Sequence, residues 1–170
     1  LFRSPVTVIH ELLSLQLQSG RFICTITNAQ PLQSDLVLFK IIFGNLIENA
    51  VKYSAPGSDI LLSVSSKTVN LTNYWQFSIT NQAGKAGVPD SRRLFDKYYR
   101  SAGAHNISGS GLGLFLVKSL TELFGGVVSY KVVGDQIGFV LGRLVGRPYL
   151  ERHNSPRIQS MITRSERFYE

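Results

Sequence analysis

Two hydrophobic periods alternate along the chain, and each change of period marks an element boundary. Ser4-Pro5 precedes VTVIHELLSLQL, an N-cap and first-turn proline ahead of apolar residues at helical spacing. This predicts a helix over 4–18, stopped by Ser19-Gly20. The β-branched and aromatic run RFICTIT predicts a strand over 21–27. The most regular segment is 35–53, capped by Ser34-Asp35. There Leu38, Phe39, Ile42, Phe43, Leu46 and Ala50 recur at three and four and form one buried stripe. Ala55-Pro56-Gly57 ends it.

Alternation then predicts strands over 59–65 and 75–80, joined by a polar turn containing Asn70 and Asn73. The stretch 81–110 is Gly-rich and irregular, with a short helical patch at 92–99. A loop of that length inside a compact domain points to function. Leu112, Phe115, Leu116, Leu120 and Leu123 predict a helix over 110–124, ended by Gly125-Gly126. Strands 127–133 and 137–144 close the pattern as a hairpin over Gly134-Asp135, and beyond Pro148 the chain is polar and Arg-rich. The order implies an α/β fold: a two-layer sandwich with a mixed, mostly antiparallel sheet and about three helices on one face. The expected division is a linker helix over 1–19, a folded unit over 20–146 and a polar basic tail over 147–170.

Composition narrows the function classes. The chain has 170 residues, 44% apolar and 17% charged, which suits one globular domain with a tail. A single cysteine, Cys24, excludes a disulfide framework, and three scattered histidines leave no zinc pattern. No apolar run reaches the roughly 18–20 residues of a membrane span, and no signal-peptide profile is present, so the segment reads as cytosolic. The net charge of +7 invites a nucleic-acid reading, yet six Arg and three Glu of the balance lie in 143–170. No block of five like charges occurs, so a nucleotide fits the field as well as a polymer does.

Three segments carry candidate chemistry. In FGNLIENAVKYS, Asn45, Asn49 and Lys52 stand at i, i+4 and i+7, with Glu48 beside them, on a helix face turned away from Phe39, Phe43 and Leu46. Carboxamide oxygens suit a hard cation and lysine suits phosphate charge; the bland alternative is a solvated face. GSGLGL, with Gly109, Gly111, Leu112 and Gly113, opens a helix where free N–H groups accept an anion. RRLFDKYYRS combines apolar Leu94, Phe95 and Tyr98, able to dock a loop, with basic Arg92, Arg93, Lys97 and Arg100.

In this order and spacing, the three segments resemble the catalytic ATP-binding domain of a bacterial two-component sensor histidine kinase. That fold (Bergerat, or GHKL-type) is shared with gyrase-type ATPases, Hsp90 and mismatch-repair ATPases. Residues 43–54 look like the family's N box, LFDKYYRS like its F box, and GSGLGL like its second glycine box. The resemblance implies ATP and Mg²⁺ as ligands. Asn49 would be the principal metal ligand, with Asn45 supporting the same site where the hydrolysing relatives carry a glutamate base. Glu48 would orient or deprotonate the accepting histidine, Lys52 and Arg100 would contact phosphate, and Tyr53 would pack on the adenine. Residues 84–110 would form the lid. The implied partners are a separate phosphoacceptor dimerisation domain and a downstream response regulator. Homodimerisation is expected only of the full kinase, and no nucleic-acid or membrane contact is expected of this domain.

Two features depart from that pattern. Thirteen positions before Leu94, the adenine-reading aspartate is replaced by Asn81, and the glycines of the first box are displaced to Gly84 and Gly87. The second departure is the histidine: His10 lacks the residues that follow a phosphoacceptor, and His105 and His153 stand alone. The acceptor is therefore expected on another chain segment. An ATP-binding module without kinase activity, a basic nucleic-acid-binding domain and a serine kinase of the same fold stand as alternatives.

Overall fold

The computed structural model describes residues 7, 9–11, 14, 21–27, 35–69 and 72–142. The order is β1 (Phe22–Thr27), α1 (Leu36–Tyr53), β2 (Ile60–Val69), β3 (Thr72–Gln82), a 3₁₀ turn at Ala102–Ala104, α2 (Gly113–Leu123), β4 (Val127–Val133) and β5 (Gln136–Gly142). The five strands make one mixed sheet in the order β1-β2-β3-β5-β4, with β1 and β2 parallel and the other pairs antiparallel. Residues Ile60, Leu62 and Val64, then Trp75, Phe77 and Ile79, then Ile137, Phe139 and Leu141 alternate inward and are buried. Both helices pack on that face, which gives the expected two-layer α/β sandwich.

Helix α1 forms for the reasons its sequence suggests. The Asp35 carboxylate accepts from the N–H groups of Val37 and Leu38 and caps the first turn. The apolar stripe is buried as expected, and Ile41 and Ile47 widen it. Phe39 and Phe43 stack with centroids 4.3 Å apart, and Phe43 meets Phe77 edge-on at 4.5 Å. Trp75 stacks beside Phe77 at 5.6 Å, fully buried. Such contacts add roughly 0.5–1.5 kcal/mol per pair to the area they bury.

Several expectations are corrected. Strands β2 and β3 are longer than predicted, and Asn73 pairs with Thr68 inside the ladder instead of sitting in the turn. Backbone pairing carries the ladder outward from Ser65–Gln76 to Val69–Thr72, past the point where hydrophobic alternation fades. The patch 92–99 is a run of turns, not a helix: the N–H groups of Arg93, Asp96 and Tyr99 donate three residues back, to Asp90, Arg93 and Asp96, and Tyr98 takes a left-handed φ of 66°. Helix α2 begins at Gly113, not at 110, because Gly111 has φ 71°. Its buried face is Val117, Leu120, Thr121 and Phe124, one position round from the predicted stripe. Of the expected N-terminal helix, Thr7 and Ile9–Glu11 are helical; Ile9 is fully buried in the core, His10 is exposed, and Glu11 meets Lys40 at 3.6 Å. The rest of that helix and the tail 147–170 lie outside the described residues.

Phe43→Ala is expected to cost about 3–5 kcal/mol, since it empties the contact between α1 and the sheet. Asp35→Ala is expected to cost about 1 kcal/mol. Urea unfolding of both variants measures the ranking.

Candidate functional site

The inward row of β3 runs Trp75, Phe77, Ile79, Asn81, and its last member is polar and only 3% exposed. At that end of the sheet the two helices part and leave a cavity of about 920 Å³. Small-molecule sites span roughly 300–1,000 Å³. Helix α1 supplies one wall with Asn45, Glu48, Asn49, Lys52 and Tyr53, and the turn into α2 supplies another with Gly109 to Gly113. Asn81, Ile137 and Phe139 form the floor, and the segment 87–101 closes over the side with Leu94, Lys97, Tyr99 and Arg100. Of the residues named from the sequence, Asn45, Glu48, Asn49, Lys52, Tyr53, Asn81, Leu94, Lys97, Arg100, Gly109, Gly111, Leu112 and Gly113 line this cavity, whereas Arg92, Arg93, Phe95 and Tyr98 do not.

Register on α1 explains the polar wall. Phe39 and Phe43 face the sheet, so positions 45, 49 and 52 are turned toward α2. The Asn45 amide nitrogen donates to the Ile41 carbonyl at 2.8 Å, which leaves its Oδ1 as the atom available to a ligand. A Cβ at Gly113 would stand 2.6 Å from that oxygen and 3.6 Å from Nδ2 of Asn49. Only glycine therefore lets α2 begin against the carboxamide pair. Lys52 donates to Glu48 one turn earlier, so the two groups with opposite charge hold each other at the cavity wall. Asn81 donates from Nδ2 to the Gln82 carbonyl at 3.2 Å, leaving Oδ1 as its acceptor.

The segment over the cavity is pinned in its middle. Leu94 is buried and Phe95 meets Phe139 edge-on at 6.4 Å, so the expected docking role holds for these two, whereas Tyr98 is 57% exposed. The Asp90 N–H donates to the Tyr99 hydroxyl at 3.0 Å. A hydrogen bond from the Arg92 side chain, together with that from its backbone N–H, lowers the Asp90 pKa below its ordinary value. Burial raises the Tyr130 phenol, and neighbouring Tyr99 adds to the shift. Arg100 donates to the carbonyls of Ala104, at 2.7 Å, and Ile107, so its guanidinium organises the loop itself. A Cβ at Gly103 would lie 2.4 Å from the Ala86 carbonyl oxygen, which shows how closely the two arms of this segment pack. Gly111, at φ 71°, accepts with its carbonyl oxygen from Tyr98 N–H at 2.9 Å and leaves no room for a side chain beside Tyr98 and Tyr99.

Sequence reasoning missed the apolar lining. Phe115 and Leu116, read only as part of the helical period, line the cavity with Ile137 and Phe139. Their position in the first turn after a glycine-rich stretch is the signal that would have marked them.

Comparison with known proteins agrees with this geometry. Residues 34–155 match the family described as histidine kinase-, DNA gyrase B-, and HSP90-like ATPase. The chain belongs to this family, as a catalytic ATP-binding domain of the histidine kinase type. It is 30% identical over 129 residues to the sensor histidine kinase HprS of Escherichia coli (strain K12), covering 76% of this chain and 24% of that protein. It is 32% identical over 126 residues to the probable sensor protein PcoS of Escherichia coli, covering 72% and 26%. The chain thus spans about a quarter of the length of these relatives. Among solved structures, the mycobacterial sensor histidine kinase MprB superposes with a TM-score of 0.64 at 23% identity, covering 81% of this chain and 93% of that one. The catalytic domain of the histidine kinase ThkA gives 0.66 at 18% identity, covering 86% and 97%. These two likenesses speak for the fold. Among the described residues no helix is long and apolar enough to cross a membrane.

Gly111→Val is expected to displace Tyr98 and Tyr99 and loosen the segment over the cavity. Limited proteolysis should then cut within 84–110 at least several-fold faster than in the parent, while the far-ultraviolet circular dichroism is unchanged.

Proposed function

We propose that this domain binds Mg-ATP in the cavity and transfers the γ-phosphoryl group to a histidine on a separate dimerisation domain. That histidine would pass the group to a response regulator, and the domain would work in the cytoplasm as the unit 20–146. The observation that carries the reading is the convergence of the Asn45–Asn49–Lys52 face and the Gly109–Gly113 turn on one cavity floored by Asn81.

The donor set fits magnesium. Mg²⁺ keeps several waters and is held by one or two protein oxygens together with substrate phosphates. The cavity wall offers the carboxamide oxygens of Asn45 and Asn49 beside the Glu48 carboxylate, which is already paired with Lys52. Asn49 is assigned as principal ligand and Asn45, through its available Oδ1, as support. When bound, the cation neutralises phosphate charge during transfer.

The chain's own groups then act by position and charge. Backbone N–H groups of the 109–113 turn and the α2 N-terminus hold the phosphates. Lys52, Arg100 and Tyr53 line the cavity; the first two would meet the phosphate charge and Tyr53 would pack on the base. Lys52 now pairs with Glu48; phosphate competes for the lysine and frees the carboxylate. Glu48 then accepts the proton of the incoming imidazole as its nitrogen bonds to phosphorus and the bond to ADP breaks. Asn45 offers no base to a water molecule, which favours transfer to a side chain over hydrolysis.

Asn81 favours a second reading, an ATP-binding module without transfer. Its Oδ1 accepts from the adenine amino group without the charge of a carboxylate.

Calorimetric titration with Mg-ATP, with and without EDTA, is expected to show metal-dependent binding; its absence overturns the reading. Asn49→Ala is expected to abolish that binding with the melting temperature unchanged. Asn81→Asp is expected to tighten it about fivefold, as a charged acceptor roughly doubles a hydrogen bond. Phosphorylation of an added dimerisation domain decides between transfer and binding alone.

A further inference from the structure

Arg21 ties together three segments that meet behind the cavity. Its backbone carbonyl accepts from Ile60 N–H at 2.7 Å, which starts the β1–β2 pairing. Its side chain turns the other way, to the end of α1. There Nη2 donates to the Ser54 hydroxyl and, at 3.1 Å, to the Ala55 carbonyl, while Nε donates to the Ser58 carbonyl at 3.0 Å. Ser54 is the C-cap of α1 and is buried. Its hydroxyl donates to Val51 O, so the guanidinium completes a cap on the last turn.

The same few residues carry the start of the lid. Gly84 N–H donates to the Tyr53 carbonyl at 2.8 Å, Ala55 N–H donates to the Gln82 carbonyl at 2.9 Å, and Ser54 bridges Ala83. A Cβ at Gly84 would lie 2.6 Å from the Ser54 carbonyl oxygen, so this strand end is seated tightly on the helix end. Whatever fixes residues 53–55 therefore fixes Tyr53 at the cavity wall and the first turn of the lid together. A guanidinium does this well because its planar donors address three acceptors from one rigid group.

We infer that Arg21 is a positioning residue for the cavity: through Ser54, Ala55 and Ser58 it sets the α1 terminus, and through that terminus Tyr53 and Gly84. The consequence for nucleotide affinity rests on the function proposed above.

The test compares the parent, Arg21→Ala and Arg21→Lys in the full chain, by amide hydrogen exchange and Mg-ATP calorimetry. In Arg21→Ala the Gly84 amide is expected to exchange at least about tenfold faster while amides of the β2–β3 ladder stay within about twofold. Affinity is expected to fall about tenfold, the equivalent of one charged hydrogen bond, with part recovered in Arg21→Lys. Unchanged Gly84 exchange overturns the inference, and so does equal acceleration of the ladder, which marks general destabilisation. Selective Gly84 exchange with parent affinity overturns it too. If the parent itself binds no nucleotide, the proposed function fails, and the exchange comparison alone decides the role of Arg21.

Discussion

The clamp of Phe39 and Phe43 onto Phe77, with Trp75 stacked beside it, is the contact on which the rest of the structure depends. It buries one side of α1 against the centre of the sheet and so fixes the rotation of the helix about its own axis. At 3.6 residues per turn, that rotation leaves Asn45, Asn49 and Lys52 nowhere to point except toward α2. The sheet contributes by the same logic. Period-two alternation puts Asn81 in the inward row with the core residues, at the one end where the helices part. A polar floor and a polar wall therefore arise from apolar packing elsewhere.

Charge in the site is held in check by local partners. Glu48 and Lys52 satisfy each other, and Arg100 spends its donors on Ala104 and Ile107. The partly exposed Glu48–Lys52 ion pair contributes little to stability, on the order of 0–1 kcal/mol. A change of partner there is correspondingly cheap. Groups locked in a buried network would resist such a change of partner.

Much of this was legible in the sequence, and the limits have physical reasons. Helix α1 was readable because cap, stripe and terminator agree from Asp35 to Ser54. The cavity-lining residues were readable because their motifs combine residue type with spacing. The patch at 92–99 misled because its helical periodicity serves anchoring: Leu94 and Phe95 reach the core, and Tyr98 then reverses the backbone. The face of α2 misled because a helix apolar on more than one side buries one stripe in the core and lends another to the cavity, as Phe115 and Leu116 do. Arg21 carried no signal at all, since its acceptors are hydroxyl and carbonyl oxygens brought near it only by the fold.

The pinning of Leu94 and Phe95 also sets the dynamics of the cover. A segment anchored in its middle behaves as two short loops in place of one long one, and its arms touch where Gly103 meets Ala86. Closure entropy grows with loop length, by about 0.6 kcal/mol per doubling. Ordering two short spans over a ligand therefore gives up less freedom than ordering the whole stretch. The contact of Gly103 with Ala86 couples the two spans, so a shift at one end of the cover is felt at the other.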